Sequence, residues 1–213
     1  MKSLSERYAG RTVLAVGAHP DDLELAVGGT LARLRSGGAR VVMIVVSIPG
    51  ASHAVRRREA ERAADILGCE LRILMEGGRR IEDLKNYELV AMIDHEVKEL
   101  APVAMITHGP SEFHRDHVMV HEAAVSSQRL QYFDFFTHHP NFCRPVPVPF
   151  HPRAYVDISD TIDTKMRAIE AHATQFASRG IGTDIYRDIA RLNGRMLGVQ
   201  YAEGLDVGRM LLA

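Results

Sequence analysis

What most constrains this chain is an alternation. Four short apolar runs, 12–18, 40–47, 71–75 and 103–107, are separated by stretches whose apolar residues recur at helical spacing. The second run, RVVMIVVS, is nearly all β-branched and reads as a strand covered on both faces, as strands of parallel sheets are. Between the first two runs, Leu23, Ala26, Val27, Thr30, Leu31 and Leu34 form a helical stripe that Gly37-Gly38 ends. Residues 56–67 repeat the pattern with Ala60, Ala63, Ala64 and Leu67 before Gly68, and residues 84–100 with Leu89, Val90, Ile93, Val97 and Leu100. Strands and helices in strict alternation imply βαβ units with right-handed crossovers. The expected fold is α/β: a single Rossmann-like domain whose mostly parallel sheet is flanked by helices on both faces.

A further helix is expected over 117–131. Residues 133–153 read as a long ordered loop near the site, since five of the nine prolines (Pro140, Pro145, Pro147, Pro149, Pro152) fall there. A strand over 154–158 then leads to a helix capped by Ser159 or Asp160, with Ile162, Met166, Ile169 and Ala173 on one face, and a last helix over 185–197 precedes a Tyr201-Ala202-Glu203 tail. No low-complexity linker interrupts the chain, so one domain is expected over 1–213: a Rossmann-like core in 1–132, the loop in 133–153, and a C-terminal strand and helices in 154–213. A net charge of -1 gives no general attraction to nucleic acid or anionic lipid. Two cysteines, Cys69 and Cys143, have no metal-type spacing and make no disulfide framework. The chain lacks both an apolar h-region at its start and a run approaching the ~18 apolar residues of a membrane span. A cytoplasmic protein is expected, with self-association left open.

The chemistry concentrates in two polar segments. Gly17-Ala18-His19-Pro20-Asp21-Asp22-Leu23-Glu24 follows the first strand, and Glu112-Phe113-His114-Arg115-Asp116-His117 follows the fourth. Parallel sheets bind ligands beyond the carboxyl ends of their strands, so the two segments are expected to meet. A water-activating metal site needs about three protein ligands, an open position and a base nearby. His19, Asp21 and Asp22 can supply two ligands and a base from one turn, because adjacent carboxylates point different ways. His114 and His117 can divide the remaining tasks, one binding metal and the other facing substrate, while Asp116 orients an imidazole by accepting its second N–H.

These residues resemble the zinc-dependent N-deacetylase family (PIG-L/LmbE-like) that includes the glycosylphosphatidylinositol-pathway N-acetylglucosaminyl deacetylase and the deacetylases of mycothiol and bacillithiol synthesis. The family's Ala-His-Pro-Asp-Asp-x-Glu is intact in Ala18 to Glu24, and its later His-x-Asp-His is His114 to His117. The likeness continues in Arg56-x-x-Glu59, Lys165, Gln175 and Tyr201-Ala202-Glu203. It implies that His19, Asp22 and His117 bind Zn2+ and that Asp21 is the general base. It further implies that His114, with Asp116 behind it, is an imidazolium that stabilises the oxyanion and protonates the leaving amine, and that Arg56 reaches sugar hydroxyls. Glu76-Gly77-Gly78 stands where relatives often have Asp-Gly, and Glu112 where many have Asp, so the substrate is the part these departures leave open. The activity implied is removal of an N-acetyl group from an N-acetylglucosamine-type amino sugar or glycoconjugate, with a small-molecule partner and neither nucleic acid nor membrane.

Plainer readings stand beside these. An Asp after Pro20 can simply cap the helix at Leu23, Glu24 can favour that helix N-terminus or bond a ligand from behind, and Arg56 can belong to a solvated run, Arg56-Arg57-Arg58. His121 lies four residues after His117, a zinc-pair spacing, but is read as a partly buried helix residue. His108, His138, His139, His151 and His172 could line the cleft, and His138-His139 lie in the proline-rich loop, but each is read by default as a surface histidine. Gly28-Gly29 is read as permitting close helix packing, since no phosphate-loop pattern accompanies it. The alternatives to deacetylation are a metal-dependent hydrolase of another small-molecule amide or phosphoester, and a non-catalytic sugar- or nucleotide-binding domain.

Overall fold

The structure, a computed structural model, describes residues 3–110, 112–139, 150–179 and 182–211. β1 (Thr12–Gly17), β2 (Arg40–Ser47), β3 (Glu70–Met75), β4 (Ala104–His108) and β5 (Asp134–His138) pair in parallel. β7 (Ala202–Arg209) runs antiparallel to both β5 and β6 (Ala154–Asp157), completing a seven-stranded sheet in the order β3-β2-β1-β4-β5-β7-β6. The chain winds outward from β1 to β3 and then restarts on the other side of β1 with β4. Between β1 and β4 lies the topological switch point, where a crevice opens beyond the strand tips.

The α/β expectation holds, and the two-residue period of the strands explains why helices cover both faces. Val13 and Ala15 of β1, with Val41 and Met43 of β2, face a core shared with α2 (Asp22–Ser36), α3 (His53–Leu67) and α6 (Ile162–Glu170). Leu14, Val16, Val42 and Ile44 face the other core, closed by α4 (Asn86–Leu100) and α5 (Arg115–Ser127). α1 (Leu4–Tyr8) and α7 (Ala173–Arg179) are short, and α8 (Asp184–Leu197) packs on β7.

Several expectations are corrected. Part of the supposed 133–153 loop is strand β5, because Phe135 and Phe136 are buried between β4 and β7; residues 140–149, with Cys143 and four of the five prolines, lie outside the described residues. The expected tail is strand β7. Neither Ser159 nor Asp160 caps α6: Thr161 precedes it, and the Thr161 hydroxyl donates to Gly29 O (2.8 Å) instead of accepting from the helix. The late helix also stops at Glu170, and Ala173 opens α7.

Helix α2, which starts inside the first polar segment, breaks at Val27 (φ -136°, ψ 15°). That break frees backbone groups, and a buried ion pair receives them. The Glu203 carboxylate of β7 accepts Gly29 N (3.0 Å) and Thr30 N (2.6 Å), while Lys165 Nζ donates to Leu25 O (2.9 Å) and to Glu203 Oε1. At Gly29 a Cβ would lie 2.7 Å from Ile158 Cδ1, so the close packing expected of Gly28-Gly29 is what the glycine allows. Removing one member of such a pair strands a buried charge and orphaned amides. Glu203→Ala is therefore expected to cost about 3–5 kcal/mol in urea unfolding, whereas Glu203→Gln, which keeps an acceptor oxygen for one of the two amides, costs less.

At the opposite end of the sheet the Asp134 carboxylate accepts Tyr8 Oη (2.8 Å), Arg7 Nη2 (2.8 Å), Tyr132 Oη (3.0 Å) and Leu211 N (3.0 Å). Burial alone would raise its pKa, but these donors outweigh burial and hold it below the ordinary carboxylate range. A depressed folded-state pKa stabilises the protein above the unfolded-state value of ~3.9 and loses that contribution as pH falls through the folded value. Denaturation midpoints measured from pH 6 downward should fall in that acidic window, and Asp134→Asn should start lower and lose less.

Candidate active site

The first polar segment is a tight strand-to-helix turn at the switch point. Gly17 ends β1 where a Cβ would sit 3.1 Å from Leu23 Cγ, so a side chain there would crowd the turn. Asp21 takes the left-handed conformation (φ 87°, ψ -28°), a strained state of the kind held at functional sites. It makes no side-chain cap, against the plainer reading of this turn. Asp22 locks the turn by accepting His19 N at Oδ2 (2.8 Å), and both carboxylates are buried. Arg56 Nη2 donates to Pro20 O (3.3 Å) and lies 3.9 Å from Asp21 Oδ1. Arg56 is itself buried, unlike Arg57 and Arg58, so it is not part of a solvated run. Glu76 is exposed and pairs with Arg57.

The second polar segment, at the entrance to α5, reaches the same crevice. His117 Nε2 lies 3.3 Å from Asp22 Oδ1, and His19 Nδ1 lies 3.9 Å from Asp22 Oδ2. Asp116 Oδ2 accepts His19 Nε2–H at 2.9 Å. Asp116 thus orients an imidazole as expected, but the imidazole is His19, not His114. Its backbone N–H, by contrast, donates to His114 Nδ1 (3.2 Å), which leaves the proton of neutral His114 on Nε2. His114 is the most exposed of these histidines, and partial desolvation together with the neighbouring His19 and His117 holds it below its ordinary pKa. Nε2 is therefore the position from which His114 can donate.

Behind these residues lies a group of buried histidines whose default reading is the surface. His108 is fully buried, accepts Ala18 N at Nε2 (3.0 Å), stacks on His117 (4.0 Å between centroids) and has Nε2 3.4 Å from Asp22 Oδ2. Burial, aided by the charge on His117, pushes its pKa down to about 4. His138 pairs with it in the sheet register, is equally buried, and has neither ring nitrogen hydrogen-bonded among the described residues. His139 and Glu112 are buried nearby, with Glu112 Oε2 3.6 Å from His117 Nδ1 and 3.5 Å from His139 Nε2. His172, also buried, pairs with Glu24 Oε1 at 3.0 Å, so Glu24 holds a histidine rather than the helix terminus. The surface default thus fails for His108, His138, His139 and His172. His121 Nδ1–H donates to His108 O (2.8 Å), consistent with its reading as a helix residue apart from the centre.

The charge balance favours a cation. Burial opposes both groups, yet His117 and His108 hold Asp22 well below the usual carboxylate range, and Asp22 and Glu112 raise His117 to about 10. A buried carboxylate facing nitrogens of two imidazoles matches the donor set of a borderline divalent metal. Two overlapping sets, His19/His114/His117 and Asp22/His108/His117, each bring their ligating atoms within 4.8 Å of one another.

Fold and site together define an α/β enzyme with a histidine–carboxylate centre at the switch point of a parallel sheet. The profile of the PIG-L family, GlcNAc-PI de-N-acetylase, matches residues 14–127, more than half of the chain, and the chain belongs to that family of deacetylases. Diacetylchitobiose deacetylase of Thermococcus kodakarensis is 28% identical over 92% of this chain and 82% of its own length. Among solved structures, the conserved protein TT1542 of Thermus thermophilus superposes with a TM-score of 0.80 at 26% identity, covering 95% of this chain and 97% of that one. The 4-carboxy-2-hydroxymuconate hydratase of Pseudomonas putida shares the fold at a TM-score of 0.79 and 20% identity, over 95% of this chain and 98% of that one.

The Asp116–His19 contact generates a prediction. Asp116→Ala should leave His19 free to turn, weakening zinc uptake by metal-stripped protein about 10–100-fold in a chelator competition; unchanged affinity would show that His19 needs no such support.

Proposed function

We propose that this protein hydrolyses the acetamide of an N-acetylglucosamine-type amino sugar or glycoconjugate, with Zn2+ held by His19, Asp22 and His117. The observation that carries the reading is the convergence of His19 Nδ1 and His117 Nε2 on the Asp22 carboxylate, with Asp21 presented beside it from a strained left-handed turn. When bound, the metal supplies Lewis acidity, polarising a carbonyl and lowering the pKa of water toward ~7. Asp21 then takes the proton from the attacking water at its carboxylate, a step worth about 10²–10⁴-fold when the base is well placed. Arg56 fixes that base by holding Pro20 O and standing beside Asp21 Oδ1, with sugar hydroxyls as its further partners. His114 donates its Nε2–H to the developing oxyanion. Collapse of the tetrahedral centre breaks the C–N bond, the proton held by Asp21 passes to the departing nitrogen, and acetate and a free amine leave.

The family match and the diacetylchitobiose deacetylase relative support an amino-sugar substrate. Among the described residues no helix is long and apolar enough to cross a membrane, which fits a small-molecule substrate and a cytoplasmic setting. Mass spectrometry of products from a panel of N-acylated sugars tests the substrate class, and failure to release acetate from any GlcNAc-type compound overturns it. Asp21→Asn is expected to bind zinc like the parent while losing about 10²–10⁴-fold in kcat; a fully active Asp21→Asn enzyme removes Asp21 from the mechanism.

A further inference from the structure

The His117 ring is flanked by imidazoles on its faces and faced by a carboxylate at each nitrogen. His108 stacks on it at 4.0 Å and 17°, and His114 at 5.0 Å and 19°. Its Nε2 faces Asp22 Oδ1 at 3.3 Å and its Nδ1 faces Glu112 Oε2 at 3.6 Å. Stacking fixes the plane of the ring but not which edge points where, since a half-turn about the Cβ–Cγ bond would present carbon to Asp22. An acceptor behind Nδ1 removes that ambiguity.

Glu112 is an unusual residue to find behind it. Its side chain is wholly buried, and neither carboxylate oxygen receives a hydrogen bond among the described residues. Desolvating a carboxylate is costly unless a donor or cation faces it, and the donors facing Glu112 are two imidazole nitrogens, of His117 and of His139. The first polar segment has the same layout: His19 Nε2–H is held by Asp116 at 2.9 Å, which leaves Nδ1 toward Asp22.

We infer that Glu112 is the positioning residue of His117, accepting its Nδ1–H so that Nε2 is presented to the metal, as Asp116 does for His19. This rests on the metal centre proposed above. Each histidine ligand then has its own carboxylate behind it, one from each end of the Glu112-to-His117 segment.

The parent protein, E112Q and E112A are stripped of metal and titrated with zinc against a chromogenic chelator; the zinc-loaded forms, carrying ¹⁵N-histidine, are then observed in the imidazole N–H region by NMR. E112A is expected to bind zinc about 10–100-fold more weakly and to lose the exchange-protected Nδ1–H resonance of His117. E112Q, whose amide oxygen still accepts that proton, keeps the resonance and recovers most of the affinity, which a general loss of packing would not produce. Parental affinity together with an intact resonance in E112A overturns the inference, as does an affinity loss in E112A with the resonance intact. A parent chain that takes up no zinc overturns instead the metal centre itself, whatever the variants do.

Discussion

The Asp22 carboxylate is the charge around which the switch point is built. Buried at the strand tips, it is tolerable only because His19 N donates to it and the His108 and His117 imidazoles stand beside it. Each of those partners comes from a different place: the turn after β1, the tip of β4 and the first turn of α5. Satisfying one acid therefore requires the two halves of the parallel sheet to be in register. The pairing of Val16 with Thr107 sets that register a few residues before the site begins.

Much of this could be read from the residues. The apolar alternation specified a parallel sheet with two covered faces, and the rule that ligands lie beyond strand carboxyl ends brought His19–Asp22 and His114–His117 together across 90 intervening positions or more. Other features could not be read because they depend on pairing rather than pattern. β5 is short and abuts a proline-rich stretch, and β7 carries Glu203, Gly204, Asp206 and Gly208; each is a strand because its neighbours supply hydrogen bonds. Which imidazole Asp116 would hold was equally hidden, since His114 is near in sequence and His19 is near in space.

The buried histidines teach a finer point. His108 and His138 are the last residues of β4 and β5 and lie side by side in the ladder, so a reading that aligned strand tips would have found them. A histidine's default as a surface residue is a statement about average positions, and strand tips at a switch point are not average. Glu24 follows the same logic in reverse: its place in the motif suggested a bond to a metal ligand or the helix end, and its partner is His172, from the corner between α6 and α7.

The kinked helix α2 has a consequence in time. Its first turns carry Asp22 and Glu24, and its second segment begins with amides capped by Glu203, which lies 173 and 174 positions later in the chain. A nascent chain emerging from the ribosome thus exposes every candidate metal ligand long before the carboxylate that settles their helix has been synthesised. Lys165 arrives earlier and lacks its counter-charge until β7 docks. Assembly of the centre is in this way deferred until β7 has been made, and a chain stalled short of β7 would display the ligands without the geometry.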